Sequence, residues 1–178
     1  MAKDKKAFKI LITGSFGSGK TTLVKTLSEI DPLLTERKIT SSAEKGKEKK
    51  TTTVALDMGK LKIGDGIEIH LFGAPGQERF DFMLDILQKG IIGAIVLVDA
   101  TNPSSVEMAM NIANKLTSQL DIPIAFAITK SDLVENGAVE EIKNVLSDFE
   151  GVIIESIDPR DKNQGKELLV KLLSQILV

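Results

Sequence analysis

Apolar and polar positions along the chain alternate between two periods. Short runs rich in Val, Ile and Leu predict strands, and between them apolar residues recur every three to four positions, as on one face of a helix. The predicted strands are residues 7–13, 54–61, 67–72, 91–100, 122–129 and 152–156. The predicted helices are residues 20–30, 78–89, 104–120, 139–149 and 165–177. This alternation is typical of an α/β domain whose six-stranded sheet is mostly parallel and has helices on both faces.

Two segments depart from this regular alternation. Asp65-Gly66, between the second and third predicted strands, is a turn signal that predicts a hairpin and therefore one antiparallel strand. Residues 35–50 are polar and lysine-rich without an apolar period, which predicts an irregular surface loop. Long irregular loops in compact domains are often functional, and this one precedes a threonine cluster. A bare surface loop and a functional loop are both compatible with the pattern.

Length, composition and charge exclude several classes of protein. A chain of 178 residues predicts one domain spanning 1–178, and a net charge of −2 gives no reason to expect a nucleic-acid partner. The absence of cysteine excludes disulfides, thiol catalysis and Cys-based zinc sites. We recognise neither a signal peptide nor a lipidation motif, and the longest apolar run, 91–100, is too short to span a bilayer. We therefore expect a cytoplasmic protein without a membrane anchor.

Residues 14–21 form a motif with a specific chemistry. They read GSFGSGKT, which matches the phosphate-binding pattern G-x-x-x-x-G-K-S/T, with a predicted strand before it and a helix after it. Glycines allow successive backbone N–H groups to point at phosphate oxygens, and the helix N-terminus adds partial positive charge. We expect Lys20 to bridge the β- and γ-phosphates and the Thr21 hydroxyl to ligate magnesium. The predicted phosphate-binding residues are Gly14, Ser15, Phe16, Gly17, Ser18, Gly19, Lys20, Thr21 and Thr22.

A second motif, TKSD at residues 129–132, predicts which base is bound. It matches the N/T-K-x-D pattern, in which a carboxylate, here Asp132, accepts hydrogen bonds from N1–H and the 2-amino group of guanine. Adenine lacks both donors and would leave the carboxylate unpaired. The stem of Lys130 can lie along the base plane. We therefore predict that Thr129, Lys130 and Asp132 select guanine and that the cofactors are GTP or GDP with Mg²⁺.

With these two motifs, the chain resembles a Ras-superfamily small GTPase over nearly its whole length. Residues 50–59 (KTTTVALDMG) and 71–80 (LFGAPGQERF) resemble more closely a prokaryotic subgroup, the conservon-type GTPases and, more distantly, the gliding-motility (MglA-like) GTPases. The resemblance implies a Ras-like P-loop NTPase fold. It also implies a regulatory protein that hydrolyses GTP to GDP and switches between two conformations of residues 35–53 and 73–80.

The resemblance assigns a role to one threonine of the first switch. In the family, this threonine ligates magnesium and senses the γ-phosphate. Aligning Asp57 with the T-x-x-x-D pattern of Rab proteins selects Thr53 as this metal ligand, with Thr52 as the alternative. The simpler interpretation is that a β-branched triplet begins a strand, which is compatible with a functional role for one of its members.

In the second switch, the resemblance implies both a catalytic pair and a missing carboxylate. Gly76 matches the glycine whose N–H meets the γ-phosphate, and Gln77 matches the glutamine that orients the attacking water. Together with Lys20, these are the predicted catalytic residues. Most small GTPases have an aspartate that holds a magnesium-bound water at the position of Gly73, and this chain has none there.

Two further aspartates are interpreted by the same resemblance. The family's last base-binding element is a loop after the sixth strand, whose backbone N–H groups contact guanine O6, and here it selects Asp158 and Pro159. Asp99 ends a run of four apolar residues, as a magnesium-holding aspartate would. In the family, however, the aspartate of this strand is structural, so we expect a structural role for Asp99.

Two other functions compete with a GTPase switch. A pseudo-GTPase scaffold that binds GTP with negligible hydrolysis is favoured by Gly73 and opposed by Gln77, and a small kinase or other ATP-using enzyme is disfavoured by Asp132. We expect slow basal hydrolysis and a partner protein that acts as activator or effector, of the roadblock-domain type by resemblance to the gliding-motility GTPases. Arg37 and Arg79 are candidates for an internal arginine finger, and both are equally compatible with solvated surface charges.

Overall fold

The computed structural model describes residues 6–40, 51–74, 84 and 89–177, and for 34–40 and 51–55 it describes the backbone alone. The strands are β1 (Lys6–Gly14), β2 (Leu33–Thr40), β3 (Thr51–Ile63), β4 (Ile67–Gly73), β5 (Ile91–Asp99), β6 (Ile124–Thr129) and β7 (Ile153–Ser156). The helices are α1 (Lys20–Leu27), α2 (Pro103–Gln119), α3 (Ala138–Leu146) and α4 (Lys162–Ile176), with a short 3₁₀ helix at Ser131–Leu133.

All seven strands belong to one sheet, in the order β2-β3-β4-β1-β5-β6-β7. β3 pairs antiparallel with both β2 and β4, whereas the pairs from β4 to β7 are parallel, so β3 is the single reversed strand. The turn between β3 and β4 lies at the predicted hairpin, where Gly64 and Gly66 have φ of 58° and 104°. The α/β P-loop fold with a mostly parallel sheet is therefore confirmed.

The extra strand is β2, which corrects part of the predicted loop at 35–50. Leu33–Thr40 pairs antiparallel with residues 51–58 of β3, and that strand begins at Thr51 instead of the predicted residue 54. β2 lies at the edge of the sheet, where a strand needs no continuous apolar face and charged residues are common. For this reason, the pattern of apolar residues did not reveal it. Residues 41–50 lie outside the described part of the chain.

Helices cover both faces of the sheet, as predicted. α2 and α3 bury Ala109, Ile112, Ala113, Leu116 and Leu146 against one face, and α1 and α4 bury Leu23, Val24, Leu27, Leu168, Leu169, Leu172 and Leu173 against the other. Successive residues of β5 alternate between these two clusters, so this strand is buried on both sides. No helix in the described ranges is long and apolar enough to cross a membrane.

Helix ends differ from the predicted ones where a side chain caps the backbone. α1 ends at Leu27 instead of residue 30, because Ser28 turns extended and its hydroxyl accepts a hydrogen bond from Lys60 N of β3. α4 begins three residues earlier than predicted, because the Asp161 carboxylate caps its first turn. The predicted helix at 78–89 lies outside the described residues except at its end and at Leu84, which is helical and buried.

Candidate functional site

A pocket of about 650 Å³ lies where the carboxyl ends of β1, β6 and β7 meet. Ligands of open α/β sheets bind at this edge. The pocket brings together three segments that are far apart in the sequence: the phosphate loop, the TKSD motif, and the loop after β7. Its lining residues are Gly17, Ser18, Gly19, Thr22, Thr129, Lys130, Ser131, Asp132, Leu133, Ser156, Ile157, Asp158, Pro159, Arg160 and Gln164.

The phosphate loop has a backbone that only glycine accommodates at two of its positions. Gly14 has φ of +142°, and a Cβ there would lie 2.4 Å from the carbonyl oxygen of Leu97. Gly19 is the N-cap of α1 with φ of +105°, and its Cβ would lie 2.9 Å from Cγ of Pro159. These glycines therefore let the loop pack against β5 on one side and against the loop after β7 on the other.

We expect Gly14→Ala to lower the free energy of unfolding by about 2–5 kcal/mol, because it adds both backbone strain and a clash with a fixed carbonyl. Gly17→Ala is the matched control, since Gly17 has a positive φ of 75° with no atom within 4 Å of an added Cβ. The control should cost only about 1–2 kcal/mol. Urea unfolding measures both changes, and equal losses would contradict the assignment of close packing to Gly14.

Lys20 folds back over the phosphate loop. Its Nζ donates to the carbonyl oxygens of Gly14, at 2.9 Å, and of Ser15, at 2.6 Å. Burial lowers the pKa of Lys20 to about 8, and the negative charge of Asp57 opposes this shift. The ammonium group is therefore partly desolvated and held mainly by neutral carbonyls, an arrangement that a phosphate anion would stabilise.

Thr21 makes the contact that connects the phosphate loop to the reversed strand. Its exposed hydroxyl donates to Oδ2 of Asp57 at 2.6 Å. From the sequence, Asp57 served only to align the first switch, although its place in the predicted hairpin, across from Gly73, was a usable signal. The hydroxyl and the carboxylate are hard oxygen donors, and Mg²⁺ commonly binds through one or two such protein groups together with phosphates and waters. These residues therefore fit the predicted magnesium ion.

The described part of the chain offers no other evident metal site. None of its residues forms a group of three or more His, Asp or Glu side chains that could hold a metal ion.

The TKSD motif is anchored to the phosphate loop and to β5. The buried Thr129 hydroxyl donates to the carbonyl oxygen of Ser18 at 2.8 Å. Lys130 has a left-handed backbone, φ 58°, and its Nζ lies 2.5 Å from Oδ2 of Asp99. Asp132 is exposed and lines the pocket. The motif therefore lies at the same pocket as the phosphate loop, and the choice of base stays a prediction.

Asp99 holds Lys130 in place and is 5% exposed. Burial raises the pKa of the Asp99 carboxyl, but hydrogen bonds from Lys130 and from the hydroxyl and N–H of Thr101 outweigh this effect and lower the pKa. This arrangement agrees with the structural role predicted for Asp99.

Sequence reasoning missed a buried serine pair that joins the phosphate loop to α2 and to the end of β5. The hydroxyls of Ser15 and Ser105 lie 2.6 Å apart, and Ser105 Oγ also accepts a hydrogen bond from the backbone N–H of Asp99. Ser105 lies in the first turn of α2, 90 residues from Ser15. Nothing in the local sequence distinguishes it from an ordinary residue at the start of a helix.

The loop after β7 corrects the expected role of Asp158 and Pro159. Both residues line the pocket, but Asp158 N–H already donates to Oε1 of Gln164 at 2.8 Å, and proline has no N–H. The expected pair of backbone donors to guanine O6 is therefore not available from these two residues. Arg160 instead pairs with the Asp158 carboxylate through Nε and a terminal nitrogen, and its hydrogen bonds lower the pKa of Asp158 to about 2.

Several predicted switch residues lie beyond the described atoms. Gly76, Gln77 and Arg79 are outside the described ranges, and the side chains of Thr53 and Arg37 are outside them as well. The backbone of Thr53 belongs to β3, where it pairs with Lys38 of β2. The assignments of these residues stay predictions.

Comparison with known proteins relates this site to P-loop proteins. Residues 12–177 match the family described as conserved hypothetical ATP binding protein. An uncharacterized protein of Methanocaldococcus jannaschii is 38% identical over 134 residues, which cover 75% of each chain. The Ras-related protein RABA5c of Arabidopsis thaliana is 26% identical over 95% of this chain and 75% of its own. The GTP-binding protein ypt3 of Schizosaccharomyces pombe is 27% identical over 74% of this chain and 58% of its own.

The matched residues, 12–177, include every segment that lines the pocket. None of the relatives named above points to the conservon-type or gliding-motility subgroup, so that part of the resemblance stays a prediction. The chain is a nucleotide-binding P-loop protein with a sequence link to the Ras superfamily. It belongs to the family of conserved hypothetical ATP-binding proteins.

Proposed function

We propose that this protein binds GTP and GDP with Mg²⁺ and acts as a slow GTPase that switches between two conformations. The observation that carries the proposal is the pocket itself, which is lined both by residues of the phosphate loop and by Asp132. Its volume of about 650 Å³ is within the usual range for small-molecule sites. A nucleotide fits this arrangement with its phosphates at Gly17–Gly19 and its base at Lys130–Asp132.

The choice of guanine over adenine rests on Asp132, against the family description, which refers to ATP. A carboxylate facing the base edge pairs with N1–H and the 2-amino group of guanine, and adenine offers neither donor. Lys130 is held by Asp99, so its stem is positioned before any nucleotide binds. The name of the Schizosaccharomyces pombe relative, a GTP-binding protein, agrees with this preference.

In the proposed reaction, each described residue binds or orients the nucleotide. Lys20 exchanges its carbonyl contacts for phosphate oxygens and neutralises negative charge there, and the N-terminus of α1 adds backbone donors. Thr21 would hold the magnesium ion, which supplies positive charge to the phosphates when bound. Gln77 and Gly76 are proposed to orient the attacking water and to contact the γ-phosphate.

A partner protein completes the proposed function. We place the chain near the conservon-type and MglA-like GTPases on the basis of residues 50–59 and 71–80, and therefore propose an activator or effector of the roadblock-domain type. The competing candidate is a pseudo-GTPase scaffold, which Gly73 favours because it supplies no carboxylate to the reaction site.

Two measurements test the proposal. Titration with GDP and ADP should give preferential binding of GDP, and tighter binding of ADP would contradict the guanine assignment. Single-turnover release of phosphate from GTP should be slow for the protein alone and faster with a partner. The reason is that an arginine finger, once positioned, raises the rate of hydrolysis by a factor of about 10³–10⁵.

The arginine variants then separate the candidates for that finger. Arg37→Ala or Arg79→Ala should abolish the stimulation by a candidate roadblock-domain protein while leaving GDP binding unchanged. Undiminished stimulation of both variants would exclude an internal arginine finger. No release of phosphate under any condition, with intact GTP binding, would favour the scaffold.

A further inference from the structure

The hydrogen bond between Thr21 and Asp57 has a direction that matters for metal binding. A hydroxyl that ligates a cation offers an oxygen lone pair to it, so its proton must point to another acceptor. Here that acceptor is Oδ2 of Asp57, 2.6 Å from Thr21 Oγ1. Thr21 is therefore arranged as a metal ligand already, with its proton directed away toward a carboxylate.

The strand register explains why this carboxylate comes from β3. Asp57 is paired directly with Gly73, the last residue of β4. A Cβ on Gly73 would lie 3.0 Å from Cβ of Asp57 and 3.3 Å from Cγ2 of Val24. A side chain at position 73 would therefore crowd that of Asp57, and both positions could carry an aspartate only if the neighbouring atoms gave way by a few tenths of an ångström.

The remaining surroundings of Asp57 suit a role at the phosphates. Asp57 is half-buried, and its charge acts on Lys20, the cation of the phosphate loop. Mg²⁺ keeps several waters when it binds to protein carboxylates and phosphates, and acceptors in its outer shell orient its ligands. P-loop NTPases use a P-loop Ser or Thr together with one aspartate for this purpose.

We propose that Asp57 is the magnesium-positioning carboxylate of this protein and that it acts from β3 in place of the side chain that Gly73 lacks. It orients the Thr21 hydroxyl and accepts hydrogen bonds from the waters that the ion retains. This inference rests on the proposed function, because it requires a bound magnesium nucleotide. It predicts that the absence of an aspartate at Gly73 does not weaken magnesium binding.

The test measures the dissociation rate of a fluorescent GDP analogue at Mg²⁺ concentrations from zero, in the presence of a chelator, to several millimolar. The Mg²⁺ midpoint is the concentration at which the slowing of dissociation by Mg²⁺ is half complete. Asp57→Asn should raise the Mg²⁺ midpoint about 10–100-fold, the usual cost of losing an outer-shell partner. Dissociation in chelator gives the metal-free rate of each variant, against which its response to Mg²⁺ is measured. Asp65→Asn, at the exposed turn between β3 and β4, is the matched control and should leave the midpoint unchanged.

A reciprocal exchange gives a second and independent reading. The double variant Asp57→Gly with Gly73→Asp moves the carboxylate to β4 and removes the Cβ that would clash with it. It should restore a midpoint close to that of the wild type, whereas Asp57→Gly alone should not. A purely structural role for Asp57 would instead lower thermal stability without moving the midpoint.

The outcomes distinguish this inference from the function on which it rests. A wild-type midpoint in Asp57→Asn, or a wild-type dissociation rate that does not respond to Mg²⁺, overturns the inference and leaves nucleotide binding standing. Failure of the wild-type protein to bind the GDP analogue overturns the proposed function and the inference with it. If Asp57→Asn does not fold, the double variant decides. A folded double variant whose dissociation rate does not respond to Mg²⁺ overturns the inference, and one with the wild-type midpoint supports it.

Discussion

Asp132→Asn is expected to weaken binding of guanine nucleotides by about 10²–10⁴-fold and to favour xanthosine nucleotides. Hydrogen bonds to a charged group contribute about 1.5–3 kcal/mol each, and the variant loses the two that Asp132 accepts from guanine. The Asn amide would instead donate to the carbonyl that xanthine carries at its 2-position. Titration with GDP and with xanthosine diphosphate measures both effects.

The matched control for this variant lies before the same strand. Asp121→Asn removes an exposed carboxylate three residues before β6 begins, whereas Asp132 lies three residues after β6 ends. The control should bind both nucleotides as the wild type does. Unchanged preference for guanine in Asp132→Asn would remove the basis for assigning guanine and would favour the ATP of the family description.

Lys20→Ala should reduce the affinity for GDP by about 30- to 4,000-fold, because truncating one partner of a buried charge pair costs about 2–5 kcal/mol. Lys25→Ala is the control, since Lys25 is exposed on the same helix. Isothermal titration of both variants measures the difference. Equal affinities would mean that Lys20 does not contact the phosphates, and circular dichroism checks that both variants fold.

The pKa of Lys20 adds a pH signature to this variant. In the free protein it is about 8, lowered chiefly by burial, so the side chain loses its proton above that pH. A bound phosphate keeps the lysine protonated, so the wild-type affinity should be flat between about pH 7 and pH 8 and fall by up to tenfold per pH unit above pH 8. The phosphate itself has a second pKa near 6 and does not titrate in this window. The affinity of Lys20→Ala should not fall in this way above pH 8. A fall caused by titration of the nucleotide base would instead be seen in both proteins.

Local signals in the sequence were sufficient for the parallel part of the sheet. β5, β6 and the second half of β1 are buried on both faces and therefore contain mostly apolar residues. The four described helices show a helical period on their buried faces. The phosphate loop and the TKSD motif were recognisable because the characteristic residues of each motif are consecutive in the sequence. The structure then places both motifs in one pocket, as the carboxyl ends of parallel strands require.

The features that sequence reasoning missed depend on pairing between distant segments. β2 forms because its backbone N–H and C=O groups pair with those of β3. An edge strand needs no regular apolar period, so the sequence pattern did not predict it. Pro159 has no N–H, and Gln164, six residues after Asp158, accepts the hydrogen bond from the Asp158 amide that was expected to go to guanine. Ser15 and Ser105 meet across 90 residues of sequence.

The sequence alone therefore identified the residues that we propose bind phosphate and base, since those requirements are local and chemical. Only the tertiary structure decided where the missing carboxylate is found. Gly73 appears in the sequence as a lost aspartate, and Asp57 as a polar residue in a strand. Their direct pairing across β3 and β4 brings the Asp57 carboxylate to Thr21. The turn at residues 64–66 and the alternation along both strands set this register. The contact of Asp57 with Thr21, 36 residues away in the sequence, depends in addition on how β3 packs against α1, and no local pattern encodes that packing.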